Sequence, residues 1–113
     1  MNRDQERLFD ILECVDRIQK YTAQGRDSYD RDELIQNWIV HHLQVIGEAS
    51  RNISEDFKQE HADVPWEKII RLRNIIVHDY FKVDLEILWE VSQNEVPQLR
   101  QQVEQLLRGF PTD

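Results

Sequence analysis

The stretch RLRNIIVHDYF, residues 71–81, threads Arg73, Asn74, His78 and Tyr80 through the apolar residues Leu72, Ile75, Ile76 and Val77. Two of these polar types can act on a phosphodiester. A histidine titrates near neutral pH and can take or give a proton. An arginine stays charged and presents a planar fork that binds two phosphoryl oxygens. RNA can be cut with such groups and no metal. A base takes the 2′-hydroxyl proton, the oxygen attacks the adjacent phosphorus, a cation stabilises the growing charge, and an acid protonates the departing 5′-oxygen. DNA lacks the 2′-hydroxyl, so this chemistry is confined to RNA.

Geometry constrains how Arg73 and His78 could cooperate. At about 100° per residue, Ile69, Leu72, Ile76 and Tyr80 share one helical arc, Arg73 lies inside it, and Arg71, Asn74 and His78 gather elsewhere. Arg73 and His78 stand about 140° apart, too far to meet one ligand on an undistorted helix. Either the helix unwinds near His78 or a second copy supplies the missing group across a two-fold axis, where an isologous interface repeats every contact. In that case the second subunit's His78 can fill the acid or base role that the first leaves open. Arg73 also needs a counter-charge, since an unpaired buried charge costs several kcal/mol. Glu48 can provide it, and so can a substrate phosphate. The ordinary alternative is a core helix with a snorkelling arginine and a half-exposed histidine.

Each neighbour carries two readings. Asn74, one turn before His78, either orients it or binds phosphate, or is a solvated surface residue. Asp79 steadies a nearby cation or is a helix-end acid. Tyr80 is either a core aromatic or a hydroxyl at the mouth of a site. Lys68, Arg71 and Lys82 complete a basic stretch suited to holding substrate: residues 68–82 carry four cations against Asp79 alone, a net +3. His41 and His42 are adjacent, with only His42 on an apolar arc, and no Cys or His cluster has zinc spacing. Cys14 lies at the edge of the first helix's stripe and reads as a small core residue, while Trp38, Trp66 and Trp89 stand among apolar neighbours and read as core or interface rather than base-stacking groups.

The elements that must position these residues are helices. Leu8, Ile11, Leu12, Val15 and Ile18 form one stripe over residues 2–23. AQGRDSYD interrupts the pattern, and Asp30 with Glu33 resembles a capping box for a second helix. That helix carries Leu34, Trp38, Ile39, His42, Val45, Ile46 and Ala49 on one arc, with Gly47 inside it. Gly47 either permits close helix contact or is tolerated at a cost of about 1 kcal/mol. Ser54 is placed to cap EDFKQE, Pro65 to open the motif helix as far as Asp79, and Asp84 to cap LEILWEVSQ. Pro97 kinks that helix or opens a last one capped by Asn94, which Gly109 and Pro111 end.

Composition agrees. A chain of 113 residues with 40% apolar and 32% charged residues, only three glycines and three prolines, suits one globular domain over 1–113. The fold expected is all-α, an antiparallel bundle of five to six helices. A net charge of −8 argues against broad electrostatic attraction to nucleic acid. No apolar run approaches the roughly 20 residues that span a bilayer, the N-terminus lacks a signal-peptide core, and a lone cysteine forms no internal disulfide. A cytoplasmic location without membrane contact is expected.

The segments VIGEASRNIS (45–54), VPWEKIIRLRNIIVHDYFKVDLEILWEV (64–91) and NEVPQL (94–99) resemble the HepT-like toxins of the HEPN superfamily. The likeness covers Asp32 to Leu107, and the pattern R-x-x-x-x-H-x-Y is met by Arg73, His78 and Tyr80. The resemblance implies a homodimeric, metal-independent endoribonuclease without cofactor, the toxin of a type VII-like toxin–antitoxin system. Arg73 and His78 would be catalytic at the dimer interface, with Asn74, Asp79 and Glu48 in support. It further implies an MntA-like nucleotidyltransferase antitoxin that transfers AMP from ATP to Tyr80, where added charge and bulk exclude RNA. Higher oligomers with that antitoxin stay open. Two rivals stand beside this reading. One is a non-catalytic HEPN module that binds a nucleotide or its nucleotidyltransferase partner, and the other is a structural dimer with a vestigial motif.

Overall fold

The computed structural model describes residues 1–111, so the last two residues of the expected 1–113 domain lie outside the described residues. The first helix, α1 (Arg3–Thr22), begins where the Asn2 side chain accepts a hydrogen bond from the Asp4 backbone N–H at 2.7 Å. Its stripe of Leu8, Ile11, Val15 and Ile18 is wholly buried. Gly25 then adopts φ 99°, a conformation that favours glycine, and turns the chain into a short helix α2 (Arg26–Arg31). AQGRDSYD is therefore partly helical, and Asp30 lies inside α2 rather than capping the next helix. The cap is Asp32, whose side chain accepts from Leu34 N.

Helix α3 (Glu33–Arg51) is the centre of the bundle, packing against α1 on one side and α5 on the other. Ile35, Ile39, Leu43 and Ile46 carry its buried stripe, each contributing about 1.5–3 kcal/mol by leaving water. Leu34 was expected on that stripe but is 80% exposed, one residue into the first turn. Helix α4 (Glu55–Glu60) is capped by Ser54 as expected, and α5 (Trp66–His78) starts just after Pro65. The helical segment after the motif is a single continuous rod: α6 (Leu85–Glu90), a π-helical turn (Val91–Glu95) and α7 (Val96–Arg108). Asp84 caps α6, accepting from Glu86 N and Ile87 N.

Pro97 explains the π turn. It has no N–H to give Gln93, four residues before it, and its ring crowds that carbonyl. Widening the preceding turn by one residue, so that Val96 N–H reaches the Val91 carbonyl, absorbs the defect without a break. Asn94 sits within this turn and caps nothing. Counted with that rod as one, the described residues form a six-helix all-α bundle.

Candidate functional site

Helix α5 presents the motif because its termini are set on either side of it. Trp66 anchors the start, buried with its indole N–H on the His61 carbonyl at 3.0 Å. His78 is the last helical residue. Asp79 leaves the helix at φ −133°, ψ 47°, and the chain tightens into a 3₁₀ turn over Tyr80–Lys82. The helical wheel therefore stops applying at Tyr80. Its ring is not on the Ile69–Ile76 core arc but 49% exposed, and its hydroxyl donates to Asn37 Oδ1 on α3 at 2.7 Å.

Arg73 sits where the wheel puts it, on the side facing α3, with its side chain 14% exposed. Its Nε donates to Glu48 Oε1 at 2.8 Å, Nη2 lies 2.8 Å from the same oxygen, and Nη1 donates to Asn74 Oδ1 at 2.8 Å. Of the five N–H groups on a guanidinium, these contacts use three and leave two for a further acceptor. Glu48 is thus the counter-charge, and Asn74 touches Arg73 rather than His78. A feature of α3 makes the approach possible. A Cβ on Gly47 would lie 2.2 Å from Arg73 Cβ and 3.3 Å from the Ile69 carbonyl oxygen, so only glycine lets the helices meet this closely.

His78 is exposed, and among the described residues its ring makes no hydrogen bond. Among the described residues no hydrogen bond or ion pair joins it to Arg73. Asp79 is likewise exposed, and its carboxylate pairs with no cation among the described residues. Of the basic residues expected near substrate, Arg71 and Lys82 are exposed and outside any ion pair among the described residues, whereas Lys68 pairs with Glu95 at 3.1 Å.

Beside the motif runs an apolar groove of about 370 Å³ between α5 and the α6–α7 rod, lined by Ile69, Leu72, Ile75, Ile87, Val91 and Leu99. Ile75 and Val77 on α5 are exposed, as are Leu85 and, at 54%, Ile87. Of these, Ile75 and Ile87 line the groove.

The remaining candidates are structural. His42 is buried, its Nδ1–H donating to the Trp38 carbonyl at 2.7 Å, and burial lowers its pKa below the usual histidine value. His41 is exposed, and the described residues hold no group of three metal-ligating side chains. Cys14 is buried, which pushes its thiol up to about 11. Trp38 and Trp89 pack against Tyr21 and Tyr29, respectively. Asn37 is the residue that the sequence did not assign, whereas of the two readings of Gly47 the close helix contact holds. Gly47 had a signal, a glycine within a helix beside Glu48, while Asn37 had none.

Comparison with known proteins places the chain in a family. The model described as "Ribonuclease HepT-like" matches residues 11–106. The "Probable ribonuclease HepT" of Thermococcus cleftensis is 35% identical over 100 residues, 88% of this chain and 91% of the relative. The "Putative RNase MJ1380" of Methanocaldococcus jannaschii is 35% identical over 98 residues, 86% of this chain and 90% of the relative. No solved structure gives a significant match.

Proposed function

The chain belongs to the HepT-like ribonuclease family, and from that premise we propose that it is a metal-independent endoribonuclease whose site assembles between two copies of α5. One observation carries the reading. The motif helix is clamped to α3 by Arg73, while exposed Ile75 on the same helix lines an open apolar groove and His78 stands exposed at the helix end. A second copy seated there covers that apolar surface and brings two histidines and two arginines to one place.

In this mechanism His78 of one subunit takes the 2′-hydroxyl proton, and the freed oxygen attacks phosphorus. The bond to the 5′-oxygen breaks as His78 of the second subunit protonates it. The products are a 2′,3′-cyclic phosphate and a 5′-hydroxyl end. Arg73 offers its two remaining N–H groups to the phosphoryl oxygens, and Glu48 with Asn74 fixes the plane of its fork. Arg71 and Lys82 hold flanking phosphates.

The chain acts in this account as the toxin of a two-component system. A nucleotidyltransferase antitoxin silences it by transferring AMP to Tyr80. The exposure of Tyr80 supports that assignment, since a buried hydroxyl could not enter another enzyme's site.

A second reading has its own support. Glu48 already neutralises Arg73, and the chain carries a net charge of −8. Both suit a binding module that holds a nucleotide or its nucleotidyltransferase partner without cutting RNA.

Equilibrated mixtures of wild type and His78→Ala decide between a shared site and independent subunits. If both histidines serve one cut, the rate falls as the square of the wild-type fraction. A linear fall rejects the shared site, and absence of cleavage by the wild type favours the binding module.

A further inference from the structure

Helix α3 touches the motif at two places. Glu48 holds Arg73, and Asn37 Oδ1 accepts from the Tyr80 hydroxyl at 2.7 Å. The two α3 residues are eleven apart, about three helical turns and about 16 Å along one face. One face of one helix therefore grips both ends of the segment that carries His78 between them.

Beyond Val83, which packs against the core, the grip at Tyr80 has little to back it up. The 3₁₀ turn is held internally by Asp79 N–H on the Ile75 carbonyl at 2.8 Å, Lys82 N–H on the Asp79 carbonyl at 2.8 Å and Val83 N–H on the Tyr80 carbonyl at 3.2 Å. None of these ties the turn to another helix of the bundle. Among the described residues, the Tyr80–Asn37 bond is the only side-chain hydrogen bond from residues 79–83 to α3, and Phe81 beside it is wholly exposed. His78 stands two residues before Tyr80, as the last residue of α5.

We propose that Asn37 is a positioning residue for the cleavage reaction: by accepting from the Tyr80 hydroxyl it latches the Tyr80–Lys82 turn to α3 and fixes the helix end that aims His78. The proposal rests on the ribonuclease reading for its activity arm but not for the latch itself. It adds a consequence to modification of Tyr80. AMP transfer forms a bond between the tyrosine oxygen and the α-phosphorus of ATP, breaks the α–β phosphoanhydride, and releases pyrophosphate and the phenolic proton. The esterified oxygen has no hydrogen left to donate to Asn37 Oδ1, so the latch opens at the moment the site is blocked.

Hydrogen exchange at the Lys82 and Val83 amides and steady-state RNA cleavage test this together, in wild type, Asn37→Leu, Asn37→Asp, Tyr80→Phe and the Asn37→Leu/Tyr80→Phe pair. Loss of one neutral hydrogen bond should raise exchange at both amides about five-fold. Asn37→Leu and Tyr80→Phe should do so equally, and the pair no more than either. The same variants should lose about ten-fold in kcat with KM little changed, because RNA contacts stay in place while the histidine loses its aim. Asn37→Asp keeps the acceptor oxygen and should restore both readouts. Unchanged exchange in Asn37→Leu overturns the latch, and a rise in KM without a fall in kcat overturns the positioning role in favour of RNA contact. Absence of cleavage by the wild type rejects the ribonuclease reading instead, and exchange still decides the latch.

Discussion

Gly47 and Arg73 lie so close that a methyl group on Gly47 would stand 2.2 Å from Arg73 Cβ and 2.8 Å from its Cγ. The contact joins the packing of the fold to the placement of the motif arginine. Without a side chain at 47, α3 and α5 approach until Glu48 meets the guanidinium that α5 turns toward it.

Gly47→Ala should therefore destabilise the protein, although alanine is the better helix former by about 1 kcal/mol. Forcing the helices apart costs about 1–3 kcal/mol in a packed core, so the thermal midpoint should fall by several degrees. Calorimetry checks it, and RNA cleavage should fall further than stability does because Arg73 moves with α5.

Glu48→Ala should cost more stability than Arg73→Ala. It leaves a guanidinium that is only 14% exposed without its counter-charge, whereas Arg73→Ala frees a carboxylate that water already reaches. Loss of about 1–2 kcal/mol is expected for Glu48→Ala, discounted for that partial exposure, measured by denaturant titration. Arg73→Lys should not restore cleavage, because an ammonium cannot meet Glu48, Asn74 and a phosphate in one plane.

Acid should weaken the fold through His42. Burial lowers its folded pKa, so the unfolded chain takes the proton first, near the ordinary value of 6.5. The stabilisation is present above that pH and is lost as pH falls through the lower folded value. His42→Gln should flatten the dependence of stability on pH below 6.5, as read by denaturant midpoints at a series of pH values.

Ile75→Glu should separate the proposed dimer. Ile75 is exposed on α5 and lines the groove beside the motif, so a charge there meets the apolar surface of the second copy. Light scattering should give the mass of a monomer, circular dichroism should stay helical, and cleavage should be lost. A dimer that persists with full activity would place the interface elsewhere.

Much of this architecture was legible in the sequence. The stripe of Leu8, Ile11, Val15 and Ile18, the caps Ser54 and Asp84, and the Arg73–Glu48 pairing each follow from spacing or from the need to neutralise a buried charge. The departures have physical causes. Asp30 and Asp32 can both cap a helix, and only the short α2 shows which does. Periodicity put Leu34 on a stripe but could not tell where the neighbouring helices stop covering it. Pro97 announced a disturbance, and the structure resolves it as a π turn rather than a kink or a fresh cap. The wheel set Tyr80 on the core arc, one of its two readings, but the helix ends at His78 and the exposed hydroxyl is the reading that holds. Asn37 was invisible, since its partner is forty-three residues away and lies in a turn of irregular geometry.

Proton transfer by His78 in RNA cleavage is tested most directly by one measurement. Purified wild type, shown unmodified at Tyr80 by intact mass, is incubated with a pool of cellular RNAs in excess EDTA beside His78→Ala, and the new ends are identified. The account predicts cuts by the wild type alone that leave 2′,3′-cyclic phosphate and 5′-hydroxyl ends. Equal cutting by His78→Ala, or no cutting by a wild type confirmed as a dimer, would contradict it.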